Sequence, residues 1–510
     1  MGAGTTAALH GDGSSTGSGG RFWPLSPELA IGPARVAAPP VTGLHLQFGA
    51  DAAREAVVSW QSPGSVRNPV VRFGTATTGF GATAQAQTRV YRDAASGTEV
   101  YAHHAVLTGL TPDTDYIYAA GHDGATPELG THRTAPAGRA AFRFTSFGDQ
   151  GTPTLGKLDN GRYVNDNLGS PVAGDVTAGI EHLAPLFNLV NGDLCYANLA
   201  TDRIRTWNDW WANNSRSARH RPWMPAPGNH ENERGNGPIG YEAFQTYFTV
   251  PDSGAEDLAR GLWYAFTVGA VRVIAVANDD ICLQDGGNSY VHGYSGAQKR
   301  WLDKELAAAR ADRAIDWIVV FMHQTAISSA DKANGADLGI RQEWLPLFDR
   351  YQVDLVLCGH EHHYERSHPV RGVLGSDTLT PKPVPEAVTP ATATAPEIID
   401  TSKGTVHLVI GGGGTSAPSN GLFFPGQQCR VITGVGAVDP GTGKKAPIYV
   451  MEQAPWSAFK DPEHPYGFCA FDVNPGSPGG HTTMTATYYA VTDTLKPVDS
   501  FILTRPRSDS

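Results

Sequence analysis

Leu186-Phe187-Asn188-Leu189-Val190-Asn191-Gly192-Asp193-Leu194-Cys195-Tyr196 is an apolar run of strand length that stops at a glycine and a carboxylate. A glycine at that point lets the backbone turn sharply, so the polar residues are delivered just beyond the strand's carboxyl end. Four other segments repeat the pattern. Phe142 to Phe147 runs into Gly148-Asp149-Gln150-Gly151, and Trp223 to Pro227 into Gly228-Asn229-His230-Glu231. Trp317 to Met322 ends at His323, and Val353 to Cys358 at Gly359-His360-Glu361-His362. One Gly-Asp pair is a turn in most proteins. Five polar clusters at successive strand ends predict a site, because ligands of α/β sheets gather beyond the carboxyl ends of the strands.

Outward from these strands the pattern stays α/β from residue 140 onward. Leu262 to Phe266 and Val271 to Ala277 predict a hairpin. Gly296 to Arg310 predicts an amphipathic helix with Trp301, Leu302 and Leu306 on one face. Residues 376–397, with Pro381, Pro383, Pro385, Pro390 and Pro396, predict a mobile surface insertion. Tyr466 to Leu503 returns to β alternation and is expected to finish a sheet. Before residue 138 the chain reads as all-β, with stretches such as Leu44 to Phe48 and Ala56 to Trp60 set off by Gly, Pro and Asn. Trp60 sits where a sandwich strand often buries a tryptophan. Leu110-Thr111-Pro112-Asp113-Thr114-Asp115-Tyr116 is similar to the fibronectin type III signature, with Tyr116 at its tyrosine corner. The expected fold class is multidomain β and α/β. It comprises a flexible lead-in over 1–39, a fibronectin III-like β-sandwich over 40–138 with a linker at Thr134 to Gly138, and a catalytic domain over 139–510.

Composition narrows the function. In 510 residues, 40% hydrophobic and 17% charged residues describe a globular chain. No apolar run is long enough to span a bilayer. A net charge of −11 argues against a nucleic-acid backbone as partner. It would also repel a phosphorylated substrate unless a local positive charge, such as bound metal, offsets it. Cys195, Cys282, Cys358, Cys429 and Cys469 match no zinc or redox spacing, and five is too few for a disulfide framework. Cys282 and Cys429 are expected to pair if the protein is exported. Residues 1–20 carry no basic n-region or apolar h-region. Export to the medium or cell envelope, with the signal outside this sequence, is the expectation, and a cytoplasmic protein is the alternative. The oligomeric state is not readable.

The residue types in the five clusters suit phosphoester chemistry. An anion attacking an anionic phosphoryl group meets a largely electrostatic barrier, which two cations lower. Holding two cations calls for a shared carboxylate plus carboxylate, amide and imidazole donors. The clusters resemble the metallophosphoesterase superfamily, and in detail the purple acid phosphatases: GDxG, GDxxY, GNHE, VxxH (Val320 to His323) and GHxH. Most of the superfamily has Asp-x-His in the first motif; here that position is Gly151, and the resemblance implies that Tyr196, as in the purple acid phosphatases, supplies the missing donor. The resemblance implies an α/β/β/α catalytic sandwich. It implies Fe(III) on Asp149, Tyr196 and His362, a divalent ion (Zn, Fe or Mn) on Asn229, His323 and His360, and Asp193 between them. The implied reaction is acid hydrolysis of phosphate monoesters to inorganic phosphate, by in-line attack of a metal-bound hydroxide. His230 is the implied catalytic residue, with His363 a second candidate. Large family members carry further histidines after VxxH; the stretch from Gln324 to Asn334 has none, so substrate preference and the general acid do not carry over. Diester, nucleotide or triester hydrolysis at the same site is the enzymatic alternative. A partner-binding protein using the fibronectin-like domain is the alternative of another class.

Other residues read more plainly. His103 and His104 are expected on the sandwich surface, and Trp207, Trp210 and Trp211 in a core. Gly411 to Gly414 reads as a bend that admits a neighbouring loop rather than a phosphate cradle. Asn213-Asn214-Ser215 is a formal glycosylation sequon.

Overall fold

The structure, a computed structural model, describes residues 38–152, 158–159, 162–163, 168–233, 240–284, 296–332, 334–438, 440 and 445–509. The expected lead-in, residues 1–39, falls almost wholly outside the described residues. Pro39 to Ser510 forms one compact unit. The order read from the sequence, β first and α/β after, is the order found.

Seven antiparallel strands come first: β1 (Thr42–Phe48), β2 (Ala56–Ser62), β3 (Val70–Gly74), β4 (Ala82–Arg92), β5 (Glu99–Leu107), β6 (Asp115–Gly121) and β7 (Glu128–Arg133). β1, β2 and β5 make one layer and β3, β6 and β7 the other. β4 crosses between them, pairing with β3 through Ala82 to Gln85 and with β5 through Ala86 to Arg92. The alternate residues Leu44, Leu46, Val58, Trp60 and Tyr118 fill the space between the layers. The Thr111 N–H donates to the Tyr116 hydroxyl at 2.8 Å, so Tyr116 closes a corner at the start of β6.

The main body of the remainder is two stacked sheets between helices, with smaller sheets beside them. In the first, the parallel strands Trp223–Ala226, Phe187–Asn191 and Phe142–Phe147 continue into the antiparallel strands Gly467–Asn474, His481–Val491 and Leu495–Pro506. In the second, Val271–Ala275, Trp317–Phe321, Leu355–Cys358 and Val406–Ile410 run parallel. Trp317–Phe321 explains the layering. Trp317, Val319 and Phe321 enter the core between the sheets, while Ile318 and Val320 meet Leu302 and Leu306 of the Ala297–Ala311 helix. Both faces are covered, hence the unbroken apolar run. Trp207, Trp210 and Trp211 are buried on the Arg203–Ala218 helix, as expected of core aromatics. The sequon asparagine Asn213 is on the same helix with its Nδ2 buried, away from any glycosylating enzyme.

Several expectations are corrected. Residues 376–397 are not a free insertion. Pro381–Pro383 pairs with Val370–Val373, Val388–Thr389 with Glu397–Asp400, and the Thr378 and Thr380 hydroxyls donate to Glu452. Proline content misled because proline is tolerated in short edge strands. Thr134 and Ala135, read as linker, are fully buried, with the Ala135 N–H on Ala52 O at 3.0 Å. None of the five cysteines is in a disulfide. Cys282 packs on the helix side of the second sheet, whereas Cys429 packs in a separate cluster with Ile327 and Trp456.

His103 and His104 are buried rather than superficial. His104 joins Ser59 Oγ at 2.8 Å to Thr246 O at 2.9 Å, bridging β5 to the α/β part. Burial drives His104 well below its usual value, His132 down to about 4 and His407 down to about 3. In the unfolded chain these groups take up protons below about pH 6.5, while the folded protein resists until lower pH. Stability is therefore fully present above about pH 6.5 and is lost as pH falls toward 4. His132 alone, at about 4, accounts for up to about 3 kcal/mol. Both ring nitrogens of His132 lack partners, and its ring meets Phe48 edge-on. His132→Phe is expected to raise the melting temperature at pH 7.5 and to shrink its drop between pH 7.5 and 5. Melting curves at the two pH values check this; an unchanged drop would refute it.

Candidate metal centre

The predicted residues arrive from both sheets: three strand ends from the first and two from the second. They meet in two groups. In one, the Tyr196 hydroxyl lies 3.2 Å from Asp149 Oδ1 and 3.2 Å from His362 Nε2, and that nitrogen is 3.4 Å from Asp149 Oδ1. In the other, His323 Nε2 lies 3.0 Å from Asp193 Oδ2, 3.1 Å from Asn229 Oδ1 and 3.1 Å from His360 Nδ1. Donors at right angles about a cation, each about 2.1 Å from it, stand about 3.0 Å apart. Both groups have that spacing.

The outer ring nitrogens make this more specific. His323 Nδ1 is 2.8 Å from Asn191 O, His362 Nδ1 is 2.6 Å from Ala417 O, and His360 Nε2 is 2.8 Å from Gln284 Oε1. Each carbonyl demands an N–H, so in the neutral rings the inner nitrogens carry lone pairs, and these lone pairs converge. This is the arrangement found around metal-ligating histidines, where the outer nitrogen fixes the tautomer. Asp193, His323 and His360 offer donor atoms all within 4.8 Å of one another. The donor set fits a pair of cations.

The backbone is bent to bring these donors in. Asp149, Asp193, Tyr196 and His360 have φ of 56°, 49°, 59° and 69°. Non-glycine residues seldom adopt this left-handed region, and such strain gathers at functional sites. The glycines act differently from expectation. Gly192, with φ 77°, does turn the chain. Gly228 and Gly359 instead give room: a Cβ at Gly228 would lie 2.3 Å from Asp193 Oδ1, and one at Gly359 2.4 Å from Asp149 Oδ2. Gly411 and Gly413 likewise admit Glu361 O and Gly148 O, as a bend that accepts neighbouring loops should.

Burial raises the Tyr196 phenol well above its usual value, and Asp149 and Asp193 push it further the same way. Burial would also raise the Asp193 carboxyl, but His323 and His230 outweigh it and hold the group well below the carboxylate range.

Two residues without an assigned role in the sequence reading support the site. Glu231 accepts from Gly228 N at 2.7 Å, Asp193 N at 2.8 Å and Leu194 N at 2.8 Å, tying two donor loops together. Its place inside GNHE was the available signal. Gln284 orients His360 from 76 positions away, and no local pattern marks it. His230 is at the rim of both groups. Its ring centroid is 4.4 Å from that of Tyr196, its backbone N–H donates to Asp193 Oδ1 at 2.9 Å, and its Nδ1 is 2.8 Å from Asn198 Oδ1. His363 turns away, to Ser419 Oγ at 3.0 Å and the Phe423 ring, and is a core histidine.

Comparison with known proteins gives the family and the fold. The family model described as purple acid phosphatase, N-terminal domain, matches residues 41–134, and that described as calcineurin-like phosphoesterase matches residues 174–364. An uncharacterized protein of Mycobacterium tuberculosis is 64% identical over 511 residues, covering 99% of this chain and 95% of its own length. Phosphoenolpyruvate phosphatase of Allium cepa is 27% identical over 382 residues, 73% of this chain and 69% of that protein. The structure of purple acid phosphatase PPD1 from yellow lupin (Lupinus luteus) seeds matches with a TM-score of 0.65 at 21% identity, covering 92% of this chain and 75% of that one. At that identity the likeness speaks for the fold.

Proposed function

We propose, from the premise that this chain belongs to the purple acid phosphatase family and is a metal-dependent phosphoesterase, that it hydrolyses phosphate monoesters at a two-cation centre. Asp149, Tyr196 and His362 would hold a trivalent iron, Asn229, His323 and His360 a divalent ion, and Asp193 would serve both. The observation that carries this reading is the convergence of inner lone pairs, each histidine being locked by a carbonyl on its outer nitrogen. When bound, the cations supply the positive charge that offsets the phosphoryl oxygens and acidifies the attacking water.

The chain's own residues do the rest. Phenol and carboxylate oxygens are hard donors, suited to a trivalent ion, whereas the amide and two imidazoles suit a divalent one. Glu231 holds the Asp193 and Gly228 turns in register, so the donors are in place before substrate arrives. His230, anchored on Asn198, keeps Nε2 available to hold or pass a proton at the phosphoryl or leaving-group oxygen. A monoester brings two negative charges, the class that gains most from concentrated positive charge inside an acidic chain.

The experiment is metal analysis with a visible spectrum of the purified protein and of Tyr196→Phe. A phenolate on trivalent iron donates charge to it and absorbs visible light. Burial and two carboxylates oppose ionisation of Tyr196, so a phenolate there requires a neighbouring cation. The wild-type protein is expected to be coloured and Tyr196→Phe colourless, with the fold kept because the ring remains. An active, colourless wild type holding only divalent ions would reject trivalent iron. An unchanged band in the variant would reject Tyr196 as donor.

A further inference from the structure

Among the buried polar contacts between the N-terminal sandwich and the rest of the unit, one cluster reaches the turn that carries Asn229 and His230. Tyr91, near the end of β4, is buried, and its hydroxyl donates to Glu233 Oε2. Glu233 follows Asn229, His230 and Glu231 in the same turn. Its other oxygen faces the Trp207 indole N–H at 3.4 Å. The Arg203 guanidinium donates to Glu233 O at 3.0 Å and lies 3.7 Å from the Glu233 carboxylate and 3.8 Å from that of Asp93. Asp93, one residue beyond β4, accepts the Arg203 N–H at 3.2 Å and is itself fixed by Ser96 Oγ at 2.6 Å and Ala95 N at 2.9 Å.

The cluster joins the two segments that hold His230. One is the Asn229 to Glu233 turn. The other is the short Ala197–Leu199 helix, whose Asn198 anchors His230 Nδ1 and which leads directly to Arg203. Both end on residues tied to β4. Two catalytic loops next to an independent appended domain would need no such ties, and here Tyr91, Glu233, Asp93 and Arg203 are joined although Arg203 Nε itself is left unpaired. Burial pushes the Glu233 carboxyl up, and the Tyr91 hydrogen bond is the strongest influence holding it down.

We infer that Tyr91 is a positioning residue: through Glu233 the sandwich fixes the turn that presents Asn229 and His230 to the two-cation site. The sandwich is thereby part of the working enzyme. The inference rests on the phosphoesterase reading only for its kinetic consequence. Displacing groups that must be held in place costs catalysis rather than ground-state binding.

The test compares Tyr91→Phe and Glu233→Gln with wild type. Tyr91→Phe keeps the ring and removes the hydroxyl; Glu233→Gln keeps an acceptor for it. Tyr91→Phe is expected to lower kcat by about 10-fold, within the range for groups that orient a metal ligand, with KM little changed. In the metal-free protein, hydrogen exchange of residues 197–203 and 228–233 should speed up. Glu233→Gln should retain most of both properties. An active wild type with an unchanged kcat in Tyr91→Phe overturns the inference, whatever happens to the melting temperature, because the tie is then merely structural. If the wild type proves inactive on phosphate esters while exchange still quickens in Tyr91→Phe, the functional reading fails and the coupling stands. Unchanged exchange would remove the coupling itself.

Discussion

His323→Ala is expected to cost on the order of 10³-fold in kcat, about 4 kcal/mol, the size of losing one cation that polarises the phosphoryl group. The magnitude follows from where His323 sits. It is fully buried, and its Nε2 is the common neighbour of Asp193, Asn229 and His360. Alanine removes the donor that these three groups surround and leaves Asn191 O without its N–H. The divalent ion should therefore be lost or weakly held, while the other group, centred on Tyr196, Asp149 and His362, keeps its geometry. The visible band expected from Tyr196 should survive in the variant, which separates loss of one cation from general unfolding. Elemental analysis and steady-state hydrolysis at controlled metal concentration check the result. Near wild-type turnover with a full complement of divalent ion would remove His323, and with it the second group, from the assignment.

His230→Ala is expected to keep both cations and lose about 10²- to 10⁴-fold in turnover, the range for a positioned proton-transfer group. The His230 ring packs on the Tyr196 ring but makes no side-chain hydrogen bond to the converging donors; its Nε2 stands 3.9 Å from Asp193 Oδ2. Its Nδ1 is held by Asn198, which leaves Nε2 as the ring nitrogen on the side of Asp193. A group so placed acts on the substrate rather than on the cations. If it delivers a proton to the leaving oxygen, the loss should be large for esters of poorly acidic alcohols and small for esters whose alcohol leaves unaided. Hydrolysis of a series of phosphate esters graded by leaving-group acidity reads this directly. An equal loss across the series would assign His230 to the phosphoryl oxygens instead.

The chemistry of this protein was written locally, and its support was not. The five clusters that carry Asp149, Asp193, Tyr196, Asn229, His323, His360 and His362 could be picked out because each follows a strand whose burial the apolar run records, and the family resemblance then singled out these seven residues within them. A strand end is a local event, so residue type and order survive in one dimension. The Tyr116 corner was legible for the same reason: its partner, Thr111, is five residues away. The split between strand faces also follows from side-chain alternation, which puts Val319 and Val320 into different cores.

What packing decided lies in contacts between residues distant in sequence. Nothing near Gln284 says that His360 will need its carbonyl, and nothing in β4 says that Tyr91 will meet Glu233, 142 positions on. His103 and His104 look like surface residues on an alternating strand, yet His103 is held inside the sandwich by Ser62 and Thr88, and His104, on the other face, is covered by the segment carrying Thr246. Proline-rich residues 376–397 look free, yet two sheet edges and Glu452 claim them. Even the glycines were misjudged in kind. Composition announces that a side chain is absent, but only the packed structure tells a turn, as at Gly192, from the room a neighbouring carboxylate needs, as at Gly228. Local propensity acts over a few residues, whereas burial and close approach depend on which surfaces the whole chain finally brings together.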